Sequence, residues 1–364
     1  MTVMSRDDDP IPESTMTSPL ATQPVTLAVR QLAAGHLEAA AAACRRLKDP
    51  ADTEALHDFR VALRRLRSLT RAYKPYIRDC LPKKLRRRVK DLAAGTGIAR
   101  DTEVQLAWLN DQRGQARSHE RPGYMWIIRR LEARLDEEYQ DIRENLPGRF
   151  ERLHERIATR LALDYDDSSP SLGEVAADLL LETGEEFRAH LELVHGQADE
   201  DEIHQARITA KRLRYLLEPL APELDNGQDL VRELKALQDI MGEIHDTQVL
   251  GAELSQAAEE AGAARMKRLI DLSLRLPHDD PQVEAARRSD ERPGLVSLAR
   301  DLQEREQDLI NRLLGRMGEG DLTRFLQHLQ VAAEQLRRLV APEPESDAEA
   351  DADAPPNPET YPGD

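Results

Sequence analysis

Aromatic residues make up only 4% of this 364-residue chain, and cysteine occurs twice, as Cys44 and Cys80. Two cysteines outside any C-x-x-C spacing offer neither a disulfide framework nor a zinc site. Both read as buried thiols, since free cysteine packs as a small hydrophobe. No run approaches the ~18 apolar residues of a membrane span. The N-terminus, Met1 to Pro24, is polar, acidic at Asp7-Asp8-Asp9 and rich in Pro and Thr. It lacks the apolar stretch of a secretory leader. Strand signals, meaning β-branched alternation bounded by turns, are also missing. Bases are outnumbered, with 51 Lys and Arg against 68 Asp and Glu and a net charge of −17. A general nucleic-acid coat would be basic throughout. The expectation is a soluble, cytoplasmic protein that does not enter a membrane.

Ala, Leu, Arg and Glu dominate, and these are strong helix formers. The predicted fold class is all-α. Residues 1–24 read as a disordered N-terminal tail and 341–364 as an acidic one. The acidic tail carries eight Asp and Glu, six prolines and no Lys or Arg, too little apolar surface to order itself. Between them, residues 25–340 divide at Asp164–Pro170 into a first half, 25–163, and a second, 171–340. Each half holds one further Gly- and Pro-bearing break, Asp111–Gly123 and Pro277–Gly294.

One pattern occurs twice. His57, Arg60, Arg64, Arg65, Leu66 and Arg67 return as His204, Arg207, Lys211, Arg212, Leu213 and Arg214 at a constant offset of 147. At 100° per residue, His57, Arg60, Arg64, Arg67 and Arg71 fall within an arc of roughly 80°. Phe59, Ala62, Leu63, Leu66 and Leu69 take the opposite side. In the second copy His204, Arg207, Lys211 and Arg214 share a stripe opposite Ala206, Ala210, Leu213, Leu216 and Leu217. Arg65 and Arg212 sit on the shoulders. Each copy is an amphipathic helix with an almost purely cationic polar face. An ordinary solvated face mixes Glu with Lys, because like charges at i,i+4 cost a few tenths of a kcal/mol per pair. Repetition of the disfavoured arrangement points to an anionic ligand.

The halves match further on. Lys90, Leu92, Gly97, Asp101, Thr102 and Val104 correspond to Lys235, Leu237, Gly242, Asp246, Thr247 and Val249 at an offset of 145. Two similar helical bundles, related by internal duplication and a pseudo-twofold axis, are expected. The first half adds Lys83, Lys84, Arg86, Arg87, Arg88 and Lys90, whereas the second has only Arg232 and Lys235 among acids. Lys83, Arg87 and Lys90 therefore join the candidate anion-binding set. Asp101 and Asp246 read as N-caps of following helices, and Trp108 and Trp126 as core anchors. His57 and His204 stand at the head of each stripe, as ligand contacts or as structural hydrogen-bonders. A histidinium there would strengthen anion binding as pH falls through ~6.5. No nucleophile or carboxylate cluster in the basic region suggests catalysis, and the stripes would repel a metal cation. Neither a catalytic residue, a metal nor a cofactor is expected.

The motif His57-x-x-Arg60-Val61-x-x-Arg64-Arg65-Leu66-Arg67, its counterpart ending Lys211-Arg212-Leu213-Arg214-Tyr215, and the Gly97/Asp101 and Gly242/Asp246 elements resemble the CHAD family. That name stands for the conserved histidine α-helical domain. The resemblance spans about residues 20–340. It implies two helical bundles with internal symmetry, a basic surface that binds inorganic polyphosphate, and association with polyphosphate granules. Family members are often fused to a triphosphate-processing CYTH domain, and no strand-rich region of that kind is read here. His245 precedes Asp246 where Arg100 precedes Asp101, so the two elements differ in charge near pH 7. Two competing partners stand beside polyphosphate. One is the phosphate backbone of a nucleic acid, disfavoured by scarce aromatics. The other is an acidic protein segment, including this chain's own tail.

Overall fold

The computed structural model describes residues 18–163 and 169–341. The expected disorder of 1–17 and 342–364, and most of the Asp164–Pro170 divider, lie outside the described residues. Helices α1 (Val25–Arg46), α2 (Ala55–Ala72), α3 (Lys74–Ile77), α4 (Lys83–Ala94), α5 (Gly97–Gln112) and α6 (Arg121–Leu161) come first. Then follow α7 (Leu172–Glu192), α8 (Glu200–Leu217), α9 (Gly227–Ser273), α10 (Pro281–Arg288), α11 (Arg292–Arg316) and α12 (Glu319–Val340). The only non-helical pairing among the described residues is an isolated antiparallel bridge between Pro24 and Ser171. The all-α expectation holds.

Order begins before Val25. Leu20–Thr22 form a 3-10 turn with Ala21 fully buried. The backbone N–H groups of Leu20 and Ala21 donate to the Glu223 carboxylate at 2.5 and 3.0 Å. The tail expected to reach residue 24 is thus fixed from Leu20. Its acceptor lies in the distant turn Ala221–Glu223, which no local signal reveals.

The motif helices form as their periodicity dictates. In α2, Phe59, Leu63, Leu66 and Thr70 are buried while Arg60, Arg64 and Arg67 keep contact with water. α1 packs on α2, α7 on α8, and α2 meets α8 directly. Ring pairs lock neighbours together: Phe59 meets Phe150 of α6 edge-on at 5.1 Å, and Phe187 of α7 meets Phe325 of α12 at 6.0 Å. Truncating a fully buried Phe of this kind costs about 3–5 kcal/mol.

The halves do not own separate cores. The main core runs continuously from Phe59 and Leu63 to Leu213, Leu237 and Phe325. A second core combines Leu109 of α5 and Ile127, Ile128 and Leu131 of α6 with Leu254 of α9 and Leu298 of α11. Helices α6 and α9, with 41 and 47 residues, are long enough to serve both. Trp108 and Trp126 pack against the second core as anchors, with Arg305 lying 5.8 Å from the Trp108 ring. Here the starts of α6 and α11 cross at Gly123 and Gly294. A side chain on either would drive into the other's backbone, with the two opposing Cα atoms only 2.8–2.9 Å from an added Cβ.

The halves also differ in detail. In the first, the chain breaks between Ala94 and Gly97, whereas α9 runs unbroken through the corresponding stretch. Arg60 caps the first-half break, its Nη1 donating to Ala93 O at 3.2 Å and Thr96 Oγ1 at 3.0 Å. In α9 the buried Gln238 instead reaches back to Ala210 O of α8 at 2.9 Å.

Candidate anion-binding site

Where α2 and α8 face each other their basic stripes open into a cavity of about 840 Å³. α2 contributes His57, Arg60, Arg64 and Arg65; α8 contributes Arg207, Lys211, Arg214 and Tyr215. α1 adds His36 and Arg46, α5 adds Arg100 and Asp101, and α9 closes the wall with Lys235, Asp239, Glu243 and Asp246.

These cations are not equivalent. Arg46 is bound to Asp52 and Asp58, and Arg100 pairs with Glu103 at 3.0 Å. Arg65 and Arg214 share Glu218 at 3.2 and 3.4 Å. Arg60 is spent on the helix break. Arg64, Arg207 and Lys211 have no ion pair or hydrogen-bond partner among the described residues, and the Nε atoms of both arginines are buried unpartnered. A buried cation without a partner is costly. Burial, then the neighbouring Arg207 and Arg64, push the Lys211 ammonium down to about 7. Burial also lowers Arg60 and Arg207, yet a guanidinium stays charged at neutral pH. The pocket is a set of preorganised donors short of acceptors.

The histidines are pushed toward neutrality. Burial, then Arg100 and Arg64, lowers His57. His36 and His245 both fall to about 4, chiefly through burial, with Arg65 acting on the first and Arg207 on the second. The expected histidinium response near 6.5 is therefore displaced downward for His57 in the free protein. Asp101 and Asp246 are raised by burial, against the pull of Arg60 on Asp101 and Arg207 on Asp246. Neither is an N-cap. Asp101 lies inside α5 and Asp246 deep within α9, because Gly242 does not interrupt that helix. Both line the pocket instead.

Of the residues singled out by sequence, His57, Arg60, Arg64, Arg65, Arg207, Lys211 and Arg214 line the cavity, and six do not. His204 is exposed, 5.7 Å from the His245 ring. Arg212 turns away to pair with Glu186 of α7. Arg67 is half-buried beside Arg71, while Lys83, Arg87 and Lys90 stand exposed on α4. Periodicity missed Arg46 and His36, which arrive only because α1 packs on α2. Lys235 had a signal, since it repeats Lys90 at an offset of 145, and Arg100 stands beside the repeated Asp101 although His245 takes its place in the second half. Cys44 and Cys80 are buried free thiols. Among the described residues no helix is long and apolar enough to cross a membrane, and no three His, Cys, Asp or Glu groups assemble as a metal site.

Comparison with known proteins bears on this geometry. The family model for the CHAD domain matches residues 31–255, which include every residue that lines the pocket, from His36 to Asp246. No curated protein matches. Among solved structures, the CHAD domain from the plant Ricinus communis is similar at 19% identity and a TM-score of 0.55, covering 87% of this chain and 94% of its own. PptA from Streptomyces chartreusis is similar at 13% identity and a TM-score of 0.56, covering 84% of this chain and 99% of its own. At such identities the likeness speaks for the fold alone.

Proposed function

The chain belongs to the CHAD domain family, and from that premise we propose that its pocket binds inorganic polyphosphate, without turning it over, and so brings the protein to polyphosphate granules. The observation that carries this reading is the trio Arg64, Arg207 and Lys211, unpaired in a pocket that both motif helices build. Polyphosphate offers about one negative charge per phosphate and many equivalent acceptor oxygens. Guanidinium forks suit such oxygens bidentately, and an ammonium adds a compact point charge. Anion binding also relieves the unpaired burial that holds Lys211 near neutrality, so ligand and site repair each other's deficits.

Selectivity follows from what the pocket lacks. Tyr215 is its single aromatic apart from His36 and His57, and stacking on aromatics is the main sequence-tolerant hold on single-stranded nucleic acid. Asp239, Glu243 and Asp246 stand in the same wall. A narrow chain threads between them and the arginines more readily than a bulky nucleotide backbone does.

The test is the affinity for long-chain polyphosphate beside single-stranded RNA and DNA of matched charge, at two salt concentrations. Wild type is compared with an Arg64→Glu/Lys211→Glu variant. Polyphosphate preference that is salt-dependent and lost in the variant is expected. Equal or tighter binding to nucleic acid would move the function to that class.

A further inference from the structure

The two motif copies agree at every cationic position but one. Arg60, Arg65 and Arg67 have Arg207, Arg212 and Arg214 as counterparts, whereas Arg64 is answered by Lys211. The exchange changes the chemistry. A guanidinium keeps its proton in a protein, while an ammonium can give one up and become a nucleophile. Of the eight lysines in the chain, Lys48, Lys74, Lys83, Lys84, Lys90 and Lys267 are exposed, and Lys211 and Lys235 line the cavity.

Lys211 is an amine that is both free and surrounded. Arg207, Arg64 and Arg214 are its cationic neighbours, with Asp246 opposing them. Among the described residues it has no ion pair or hydrogen-bond partner. Burial, then Arg207 and Arg64, bring its ammonium down to about 7, so the free amine is abundant at neutral pH. The guanidinium groups around it are forks for a phosphate dianion. Elsewhere the cavity wall is small and apolar, with Ala39, Ala43, Ala62 and Val104. A small molecule that joins a phosphate to a short acyl group matches both kinds of surface, and its carbonyl carbon is an electrophile for the amine.

We propose that Lys211 is a modification site, acylated without a separate enzyme by small acyl phosphates that the neighbouring arginines capture by the phosphate end. The Nζ lone pair attacks the carbonyl carbon and the bond from that carbon to the bridging oxygen breaks. Inorganic phosphate departs, taking up the proton that the nitrogen loses. The product is an uncharged amide, so Arg64, Arg207 and Lys211 together lose their one ammonium. The site and its reaction stand on the cavity itself. Their consequence, a weaker hold on polyphosphate in the acylated protein, rests on the polyphosphate reading.

Site-resolved mass spectrometry of the full chain incubated with acetyl phosphate at about pH 7.5 tests this, with acetic anhydride as the reagent that lacks a phosphate. With acetyl phosphate Lys211 should acetylate at least about tenfold faster than the exposed Lys48, Lys74 and Lys267, and its lead should shrink with the anhydride. A rate no greater than theirs, or an equal lead with both reagents, overturns the proposal. In Arg207→Gln the lead with acetyl phosphate should fall toward the anhydride value, and a lead left unchanged also overturns it. Protein acetylated at Lys211, like Lys211→Gln, should bind long-chain polyphosphate about fivefold more weakly at low salt, with Lys211→Arg close to wild type. Fast acetylation at Lys211 that tripolyphosphate does not slow, and that leaves polyphosphate affinity unchanged, supports the modification site and overturns the polyphosphate reading instead.

Discussion

Replacing Lys211 with methionine should stabilise the free protein while weakening its hold on polyphosphate. The ammonium lies among Arg64, Arg207 and Arg214, with Asp246 opposing them. Burial and those neighbours depress it from an ordinary 10.5 to about 7. That depression corresponds to at most roughly 5 kcal/mol of penalty on the charged form. Lys211 keeps some contact with water, and solvent screening cuts the figure to about 2 kcal/mol. Methionine preserves most of the alkyl volume, so the gain should appear as a rise in melting temperature of about 4 °C. The pH dependence has a definite sign. Lys211 holds its proton less tightly folded than unfolded, so between about 7 and 10.5 the unfolded state binds more protons. Wild-type stability contributed by this group rises with pH across that window. Below 7 both states carry the proton and the penalty is complete; above 10.5 neither does, and it is gone. The advantage of the variant should be largest near pH 6 and fade toward pH 10. Thermal melts at both values measure it, and calorimetry in two buffers of different ionisation enthalpy should show wild type taking up a proton on binding polyphosphate at pH 8. A variant that melts at or below wild type at pH 6, or a gain that persists at pH 10, would refute the reasoning.

Glu218 holds both Arg65 and Arg214, so Glu218→Gln releases two guanidinium groups into the pocket. Half-exposed pairs of this kind contribute about 0.2–1 kcal/mol each, and polyphosphate affinity should rise about two- to fivefold by titration; a fall would show that Glu218 positions the arginines rather than competing for them. Gly123→Ala and Gly294→Ala press a methyl group into the opposing helix. Each should cost about 3 kcal/mol in denaturant unfolding, with hydrogen exchange rising first around Ile127 and Leu298. A loss below about 0.5 kcal/mol would mean that the crossing yields easily.

The stand of unpaired cations explains why the pocket is built from two long-separated motifs. A single stripe could face solvent at little cost. Two stripes facing each other repel, and only main-core packing around Phe59, Leu63 and Leu213 holds them together. Stability is thus spent in the core to keep Arg64, Arg207 and Lys211 in opposition, and an anion bound as proposed would recover part of it.

The sequence by itself determined the class of fold and the chemistry of the two motif helices. Helical periodicity is a local property, so the burial of Phe59 and Leu63 and the placement of Arg60 and Arg64 on the opposite, half-buried face of α2 were already written in their spacing. Buried Cys44 and Cys80 and the anchoring Trp108 and Trp126 followed from composition in the same way. Which cations are free to act was settled only by the tertiary structure. Lys211 and Arg212 are neighbours in the chain, yet Arg212 meets Glu186 of α7 while Lys211 opens to the pocket. Arg46 and His36 joined the wall through the packing of α1, Asp101 and Asp246 became wall residues rather than caps, and Leu20–Thr22 were fixed by Glu223. Periodicity tells which face a side chain occupies. Its charge state and its partner depend on Coulomb and hydrogen-bond terms that act within a few ångströms, between helices that lie far apart in sequence until the chain folds.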